Sequence, residues 1–235
     1  RERMLPETMP VCPVRGSVIY PTMVMPIDAG RPISIRAIDE ALARDRVLLI
    51  VSQRDKEVET PRPSDLFEVG TACNILKMRK NPDGSPPPPP QAFARVRVRE
   101  WLDLGDHRGA RGEGLADEPG EPILVKALVR EVKDKFQALL KEGKYLAPEV
   151  AQFILNLEDP SQLADYVAFH MDFRLEDKQK VLETANVAER LRAVLVLLEA
   201  ELALIETQRR IQQQVKEEID RNQREYFLRE QMKAI

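Results

Sequence analysis

The stretch NVAERLRAVLVLLEAELALIETQRRIQQQVKEEIDRNQREYFLREQMKAI, residues 186–235, decides how the rest of the chain is organised. It contains no Gly and no Pro, so nothing in it interrupts an α-helix. Asn186 and Glu189 form a capping pair, because the amide oxygen accepts N–H groups of the first turn and the carboxylate can reach back. At about 1.5 Å per residue this helix is roughly 70 Å long, far longer than a small domain is wide. We therefore expect part of it to project beyond its own domain.

Apolar residues divide this helix into two halves. The first half carries a broad stripe, typical of a helix packed inside a helical domain. Beyond Glu206 the stripe thins, resumes out of phase and is flanked by charges of mixed sign, which indicate a solvated surface. The stripe there is reduced to Ile211, Val215, Ile219 and Tyr226. Because no cap, Gly or Pro precedes Ile235, we interpret the chain as cut inside a helix that leads into another domain.

Composition excludes several classes of protein. The net charge of −3 argues against a generally basic nucleic-acid binder, and no apolar run is long enough to span a bilayer. The first residues lack the apolar core of a signal peptide. Cys12 and Cys73 are far apart, which favours a reducing cytoplasm, with a disulfide as the alternative. From the cysteines we expect a cytoplasmic protein. His107 and His170 have no metal-ligand spacing around them, so we expect no metal site.

The pattern of residues 1–130 is typical of a β-rich subdomain. Residues 47–51 are a continuous apolar run, and residues 92–100 alternate between apolar side chains and arginines. Further strands are predicted at 11–14, 23–27, 69–78 and 123–129, one short helix at 33–44, and a surface loop at 105–120. These elements predict a small barrel or mixed sheet with one short helix, and an α+β fold for the whole chain.

Five consecutive prolines at 86–90 interrupt this pattern. They follow a hairpin-type turn at 81–85, where a returning strand is expected, and proline has no N–H for a ladder hydrogen bond. One interpretation is a polyproline ligand for a partner module. We favour a local irregularity.

From Glu131 the apolar period changes to that of helices. Residues 131–185 predict a bundle of short helices, with a stop at Gly143, an N-terminal proline at Pro148, a cap and first residue at Asp159 and Pro160, and a last short helix at 175–182. Residues 186–235 form the long helix, with its first half packed on this bundle and its second half projecting. His170 falls at a helix end, where a polar terminal residue is a better explanation than a catalytic one.

No motif in the chain carries catalytic chemistry. The phosphate-cradling G-x-x-x-x-G-K-[ST], the dinucleotide G-x-G-x-x-G and the nucleophile-elbow G-x-S-x-G are all absent from the sequence. We therefore expect no catalytic residue and no cofactor within this chain. Binding and assembly remain as its functions.

Three segments together resemble one family. They are MPVCPVRGSVIYPTMVMPI at 9–27, FEVGTA at 67–72 and QREYFLREQMKAI at 223–235. In this order they are similar to the N-terminal region of Lon, the ATP-dependent bacterial protease, up to the helix before its ATPase module. The chain departs from the family at 86–90, where the family has a strand, and at Tyr20 and Thr22, where Phe and Gly are more usual.

The resemblance implies a full-length homohexameric AAA+ serine protease that uses ATP and Mg²⁺. It would degrade misfolded, damaged and short-lived regulatory proteins, with its nucleotide loop and Ser–Lys dyad beyond Ile235. This region would capture unfolded chains through apolar surface and pass them to the ring. Five residues of the long helix beyond Glu206 would contact a neighbouring protomer of the hexamer: Ile211, Val215, Ile219, Tyr226 and Phe227.

The best candidate for that surface lies near the N-terminus, because prolines limit how deeply the segment can join a sheet and methionine adapts to many partners. Its residues are Tyr20, Pro21, Met23, Val24, Met25 and Pro26. Ordinary core packing is an equally supported alternative.

Two other functional classes are alternatives to this hypothesis. A nucleic-acid module with weak DNA binding could use a basic strip on the sheet, although few aromatics interleave with it. Its cations are Lys77, Arg79, Lys80, Arg95, Arg97 and Arg99. A purely structural coiled-coil adaptor explains the long helix but leaves the β-rich half without a role.

Overall fold

A closed five-stranded barrel forms the first part of the computed structural model, which describes residues 4–27, 30–77, 79–143 and 146–235. The elements of this part are β1 (Met9–Val14), α1 (Pro32–Ala43), β2 (Val47–Ser52), a 3₁₀ turn (Pro63–Asp65), β3 (Val69–Asn74), β4 (Gln91–Asp103) and β5 (Arg108–Gly114). Strand β1 runs parallel to β2 and antiparallel to β5, and the remaining neighbours are antiparallel, which closes the barrel. The predicted α+β class and small barrel are confirmed.

The barrel is filled by small and branched side chains from its inner face. Met9, Val11, Leu49 and Val96 are buried there, while α1 covers part of the outside. Gly112 has to be glycine, since an added Cβ would lie 2.4 Å from a methyl carbon of Val96. Burial of this apolar surface, at about 25 cal/mol per Å², is the main stabilising contribution in such a core. Cys12 and Cys73 are both buried and unbridged on the side covered by α1.

Helices make up the second part. They are α2 (Pro122–Lys141), α3 (Pro148–Leu155), α4 (Pro160–His170), α5 (Leu175–Glu183) and α6 (Val187–Lys233). Proline occupies the first turn of α2, α3 and α4, where its missing N–H costs nothing, and Glu121 and Asp159 cap α2 and α4 with their carboxylates. Gly143, at φ +84°, ends the turn after α2.

The long helix is built as its sequence indicates. The Asn186 side chain accepts a hydrogen bond from the Glu189 N–H at 3.0 Å. Leu191, Val194 and Leu198 are buried against the other helices, whereas every residue from 206 onward is exposed. The helix is therefore packed in its first part and exposed in its second.

Three local predictions are wrong. Residues 123–129 are not a strand but the start of α2, because Glu121 and Pro122 begin a helix whose buried residues recur at 128, 132, 136 and 139. The expected loop at 105–120 contains β5, where glycine and alanine are needed for close approach to neighbouring strands. The expected strand at 23–27 is reduced to one bridge between Val24 and Gln91. The returning strand after the prolines does form, as β4.

Helix α5 joins the barrel to the other helices by polar contacts. The Tyr20 hydroxyl donates to the Lys178 carbonyl at 2.7 Å, and the Gln179 amide donates to the Val69 carbonyl at 2.9 Å. Tyr20 and Val69 also belong to the apolar core beneath the helices, so the two parts share a core. Their relative orientation is fixed by this junction.

A network of buried charges completes the junction. Arg95 of β4 is 2.5 Å from Asp165 of α4 and also donates to the Leu182 carbonyl. Arg190, whose side chain is fully buried, donates to the Ser161 hydroxyl at 2.5 Å and to Asp117 at 2.7 Å. Because each buried arginine has a carboxylate partner, the cost of desolvating it is offset.

Candidate functional site

A groove of about 400 Å³ lies between the segment at 22–26 and helix α4. One wall is formed by Thr22, Met23, Val24, Met25 and Pro26, and the other by Tyr166, Phe169 and His170. Nearly all of these side chains are apolar or aromatic. The groove therefore suits apolar parts of a ligand.

Backbone hydrogen bonds fix the first wall against the start of β4. Thr22, at φ +73°, turns the chain so that its N–H donates to the Ala92 carbonyl at 2.9 Å. The Ala92 N–H donates to Met23 at 2.8 Å, and the Met25 N–H donates to Pro90 at 3.1 Å. The segment is thus held beside β4 by a single bridge and these flanking hydrogen bonds.

The predicted substrate-binding residues divide into two groups. Tyr20 and Met23 are 0% and 4% exposed and belong to the core, so Tyr20 offers no free surface and Met23 contributes only a few per cent of its surface to the groove wall. For these two residues, core packing is the correct interpretation. Val24 and Pro26 are exposed, whereas Pro21 and Met25 are half-buried. Only the second group is placed to contact a ligand, and its role in binding stays a prediction.

The opposite wall, on α4, belongs to an aromatic cluster that also includes Phe153 of α3, and the sequence did not reveal it. The Tyr166 ring lies 5.1 Å from Phe153 and 6.3 Å from His170, and His170 lies 5.0 Å from Phe169. Phe153 is 49% exposed. The spacing of Tyr166, Phe169 and His170 along one helical face is the signal that could have indicated it.

The imidazole in this wall stays neutral at neutral pH. Burial lowers the pKa of His170 below its ordinary value, and the positive charge of Lys178 lowers it further. The Lys178 ammonium donates to the Phe169 carbonyl at 3.1 Å, which holds that charge near the base of the wall. The groove therefore keeps its apolar character except at acidic pH.

The predicted protomer contacts lie on the projecting part of α6. All five side chains are at least 49% exposed. At about 100° per residue, Ile211, Val215, Ile219 and Tyr226 share one face, and Phe227 lies roughly 100° further around the helix. A contact of this face with another protomer stays a prediction.

The basic strip that would define a nucleic-acid interface is not continuous. Arg95 is buried and paired with Asp165, and Arg99 is paired with Glu113 at 2.7 Å. A strip without these two charges loses the row of cations that the alternation predicted.

Among residues 4–27, 30–77, 79–143 and 146–235, no three His, Cys, Asp or Glu side chains cluster as metal ligands would. Within the same ranges, none of the helices has both the length and the apolar character that crossing a bilayer demands.

The closed barrel, the short helices and the long final helix together can be compared with solved structures. It matches the N-terminal domain of the Mycobacterium avium complex Lon protease with a TM-score of 0.65 and 24% identity, over 82% of this chain and 98% of that one. It also matches a Lon N-terminal domain protein from Xanthomonas campestris, with a TM-score of 0.52 and 12% identity, over 80% of this chain and 97% of that one. These two likenesses show that the fold is that of Lon N-terminal domains.

Sequence comparison gives the family. A model of the ATP-dependent protease La (LON) substrate-binding domain matches residues 8–200. The chain is 97% identical over 232 residues to Lon protease 2 of Thermus thermophilus and 38% identical over 227 residues to Lon protease of Escherichia coli; it spans 29% of each relative's length. The chain belongs to the Lon substrate-binding domain family, and the predicted resemblance is confirmed.

Proposed function

We propose that this chain is the substrate-recognition and assembly region of an ATP-dependent serine protease. The full-length protein degrades misfolded, damaged and short-lived regulatory proteins in the cytoplasm, and this region captures unfolded chains and passes them to an AAA+ ring. The observation that carries the proposal is the open apolar groove between residues 22–26 and α4. ATP, Mg²⁺ and the catalytic groups belong to other parts of that protein.

The groove is suited to weak and tolerant binding. Its volume of about 400 Å³ is at the low end of ligand pockets, so it takes a short segment rather than a folded partner. Burial of one large apolar side chain contributes about 1.5–3 kcal/mol, which gives little affinity by itself. Several such domains in one ring raise the effective affinity for a long unfolded chain, because each further contact is intramolecular.

The projecting part of α6 supplies the assembly function in this proposal. Its exposed face of Ile211, Val215, Ile219 and Tyr226 contacts a neighbouring protomer of a homohexamer, with Phe227 beside it. Exposed apolar residues repeated along one helical face are typical of helix–helix contacts. The first half of α6, packed in its own bundle, holds the groove at a fixed position relative to that contact.

Capture of a permanently unfolded, fluorescently labelled protein tests the groove. Val24→Asp places a charge at the open edge, and we expect it to weaken capture about tenfold while the unfolding midpoint stays unchanged. Ile123→Asp is the matched control, because Ile123 is 77% exposed, lies outside the groove and is in the first turn of α2, where an acidic residue is favourable. Equal capture by wild type and Val24→Asp would show that binding occurs elsewhere.

A further inference from the structure

The segment at 22–26 has a backbone edge that faces away from the barrel. Val24 and Gln91 form a bridge in which the hydrogen bonds are made by the residues on either side, Met23 to Ala92 and Met25 to Pro90. In such a pair the N–H and C=O of the central residue point away from the neighbouring strand. Throughout the described ranges, no hydrogen bond involves the N–H or C=O of Val24.

This edge is directed towards the groove. The Tyr166 hydroxyl lies 3.4 Å from the carbonyl oxygen of Thr22, two residues earlier on the same side of the segment. Thr22 is at φ +73° and its N–H donates to β4, so its carbonyl oxygen alone marks the side on which α4 lies. The N–H and C=O of Val24 point away from β4, and Val24 lines the groove whose other wall is α4. An extended chain lying there would reach both groups.

Two prolines limit the length of this open edge. Pro21 and Pro26 flank it, and proline has no N–H to donate to a ladder. Prolines beside an open edge are a common protection against pairing of whole strands between molecules. A few residues of extended chain can still pair with Val24, whereas a long strand cannot.

We propose that the groove binds its substrate by strand addition: an extended segment of an unfolded polypeptide pairs its backbone with Val24 and lays alternate side chains against Tyr166, Phe169 and His170. This inference rests on the proposed function and specifies how that function is performed. Backbone groups are the same in every sequence, so pairing through them gives affinity without a consensus sequence. The aromatic wall adds a preference for apolar side chains at alternate positions.

The substitution Val24→Pro tests the edge within the protein. It removes the N–H that points into the groove, and it costs no hydrogen bond of the fold because that N–H makes none. Val24→Ala is the matched control, since it keeps the N–H and shortens the side chain. With a short fluorescent Val/Leu-rich peptide as probe, we expect Val24→Pro to bind about tenfold more weakly and Val24→Ala to stay within about threefold of wild type.

Modified peptides test the same edge without any change to the protein. A peptide N-methylated on every second amide keeps one free edge, whereas a fully N-methylated peptide has none and is more apolar. We expect the first to bind within about threefold of the parent peptide and the second to lose about tenfold or more. Binding through side chains alone predicts the opposite order, because added methyl groups increase apolar contact.

The outcomes separate this inference from the proposed function. If Val24→Asp abolishes peptide binding but Val24→Pro and full N-methylation leave it intact, the groove is the site and strand addition is wrong. If wild type does not bind the parent peptide, or Val24→Asp binds it normally, the proposed site itself is wrong. Loss of binding by Val24→Pro with an unchanged unfolding midpoint, together with loss on full N-methylation, supports the inference.

Discussion

Helix α4 separates two regions of opposite character. On one face Asp165 is buried among Arg95, Arg190 and the core, where every charge has a partner. On another face Tyr166 and His170 line an open apolar groove with half-exposed side chains. Because the charged junction holds α4 in place, the aromatic wall can stay exposed without collapsing onto the barrel. In the proposed function, a tolerant binding surface depends on such a rigid neighbour.

The largest effect is expected from breaking the junction. Arg95→Met leaves Asp165 buried without its closest partner and should lower the free energy of unfolding by about 3–5 kcal/mol. Arg99→Met, four residues along the same strand, removes an exposed pair with Glu113 and should cost less than about 1 kcal/mol. Urea unfolding of both variants measures the difference.

Replacing both charged partners by apolar residues tests this prediction further. In Arg95→Met with Asp165→Leu no buried charge is left unpaired at this contact, so we expect most of the lost stability to return. If the single and double variants are equally destabilised, the junction is held by packing rather than by paired charge.

The two adjacent residues Met23 and Val24 give the next largest contrast. Met23→Ala removes a core side chain and should cost about 2–5 kcal/mol, whereas Val24→Ala should stay within about 0.5 kcal/mol. Thermal and urea unfolding check both values. Similar costs at the two positions would contradict the division of this segment into a core side and a groove side.

Features that depend on residues close together in the sequence could be predicted, whereas features that depend on distant residues could not. The helix caps Asn186 and Asp159 depend on neighbours within a few residues, and both were predicted correctly. The run at 123–129 is apolar enough for either a strand or a helix, and the cap at Glu121 that decides it was overlooked. The glycine-rich β5 resembled a loop because its small residues are needed only once the barrel closes.

The candidate site was predictable only in part for the same reason. Prolines and methionines pointed to residues 20–26, but period-two alternation could not tell that Tyr20 and Met23 face the core while Val24 faces outward. The aromatic wall lies 140 or more residues after this segment in the sequence. The junction joins Arg95 to Asp165, which are 70 residues apart. Contacts at such separation leave no local pattern.

A smaller effect is expected from the titration of His170. Because burial lowers the pKa of this imidazole in the folded protein, the unfolded chain, with a pKa of about 6.5, takes up the proton first as the pH falls. Its contribution to stability is thus complete above about pH 6.5 and is lost as the pH falls through the lowered pKa. His170→Gln should unfold with a weaker pH dependence between about pH 5 and 7, and its capture of unfolded protein should decline less at acidic pH.

The smallest effect on stability, and the largest on assembly, is expected on the projecting half of α6. Ile211→Glu with Ile219→Glu should change the free energy of unfolding by less than about 0.5 kcal/mol, because both side chains are about half exposed and contact no core. The same charges on an apolar helix–helix contact would repel one another and weaken association of protomers. Gln213→Glu with Glu217 left unchanged is the control, since position 213 lies on another face of the helix. Sedimentation of the full-length protein then compares the two variants: loss of the large assembly in the isoleucine variant alone supports this face as the contact, and equal assembly in both places the contact elsewhere.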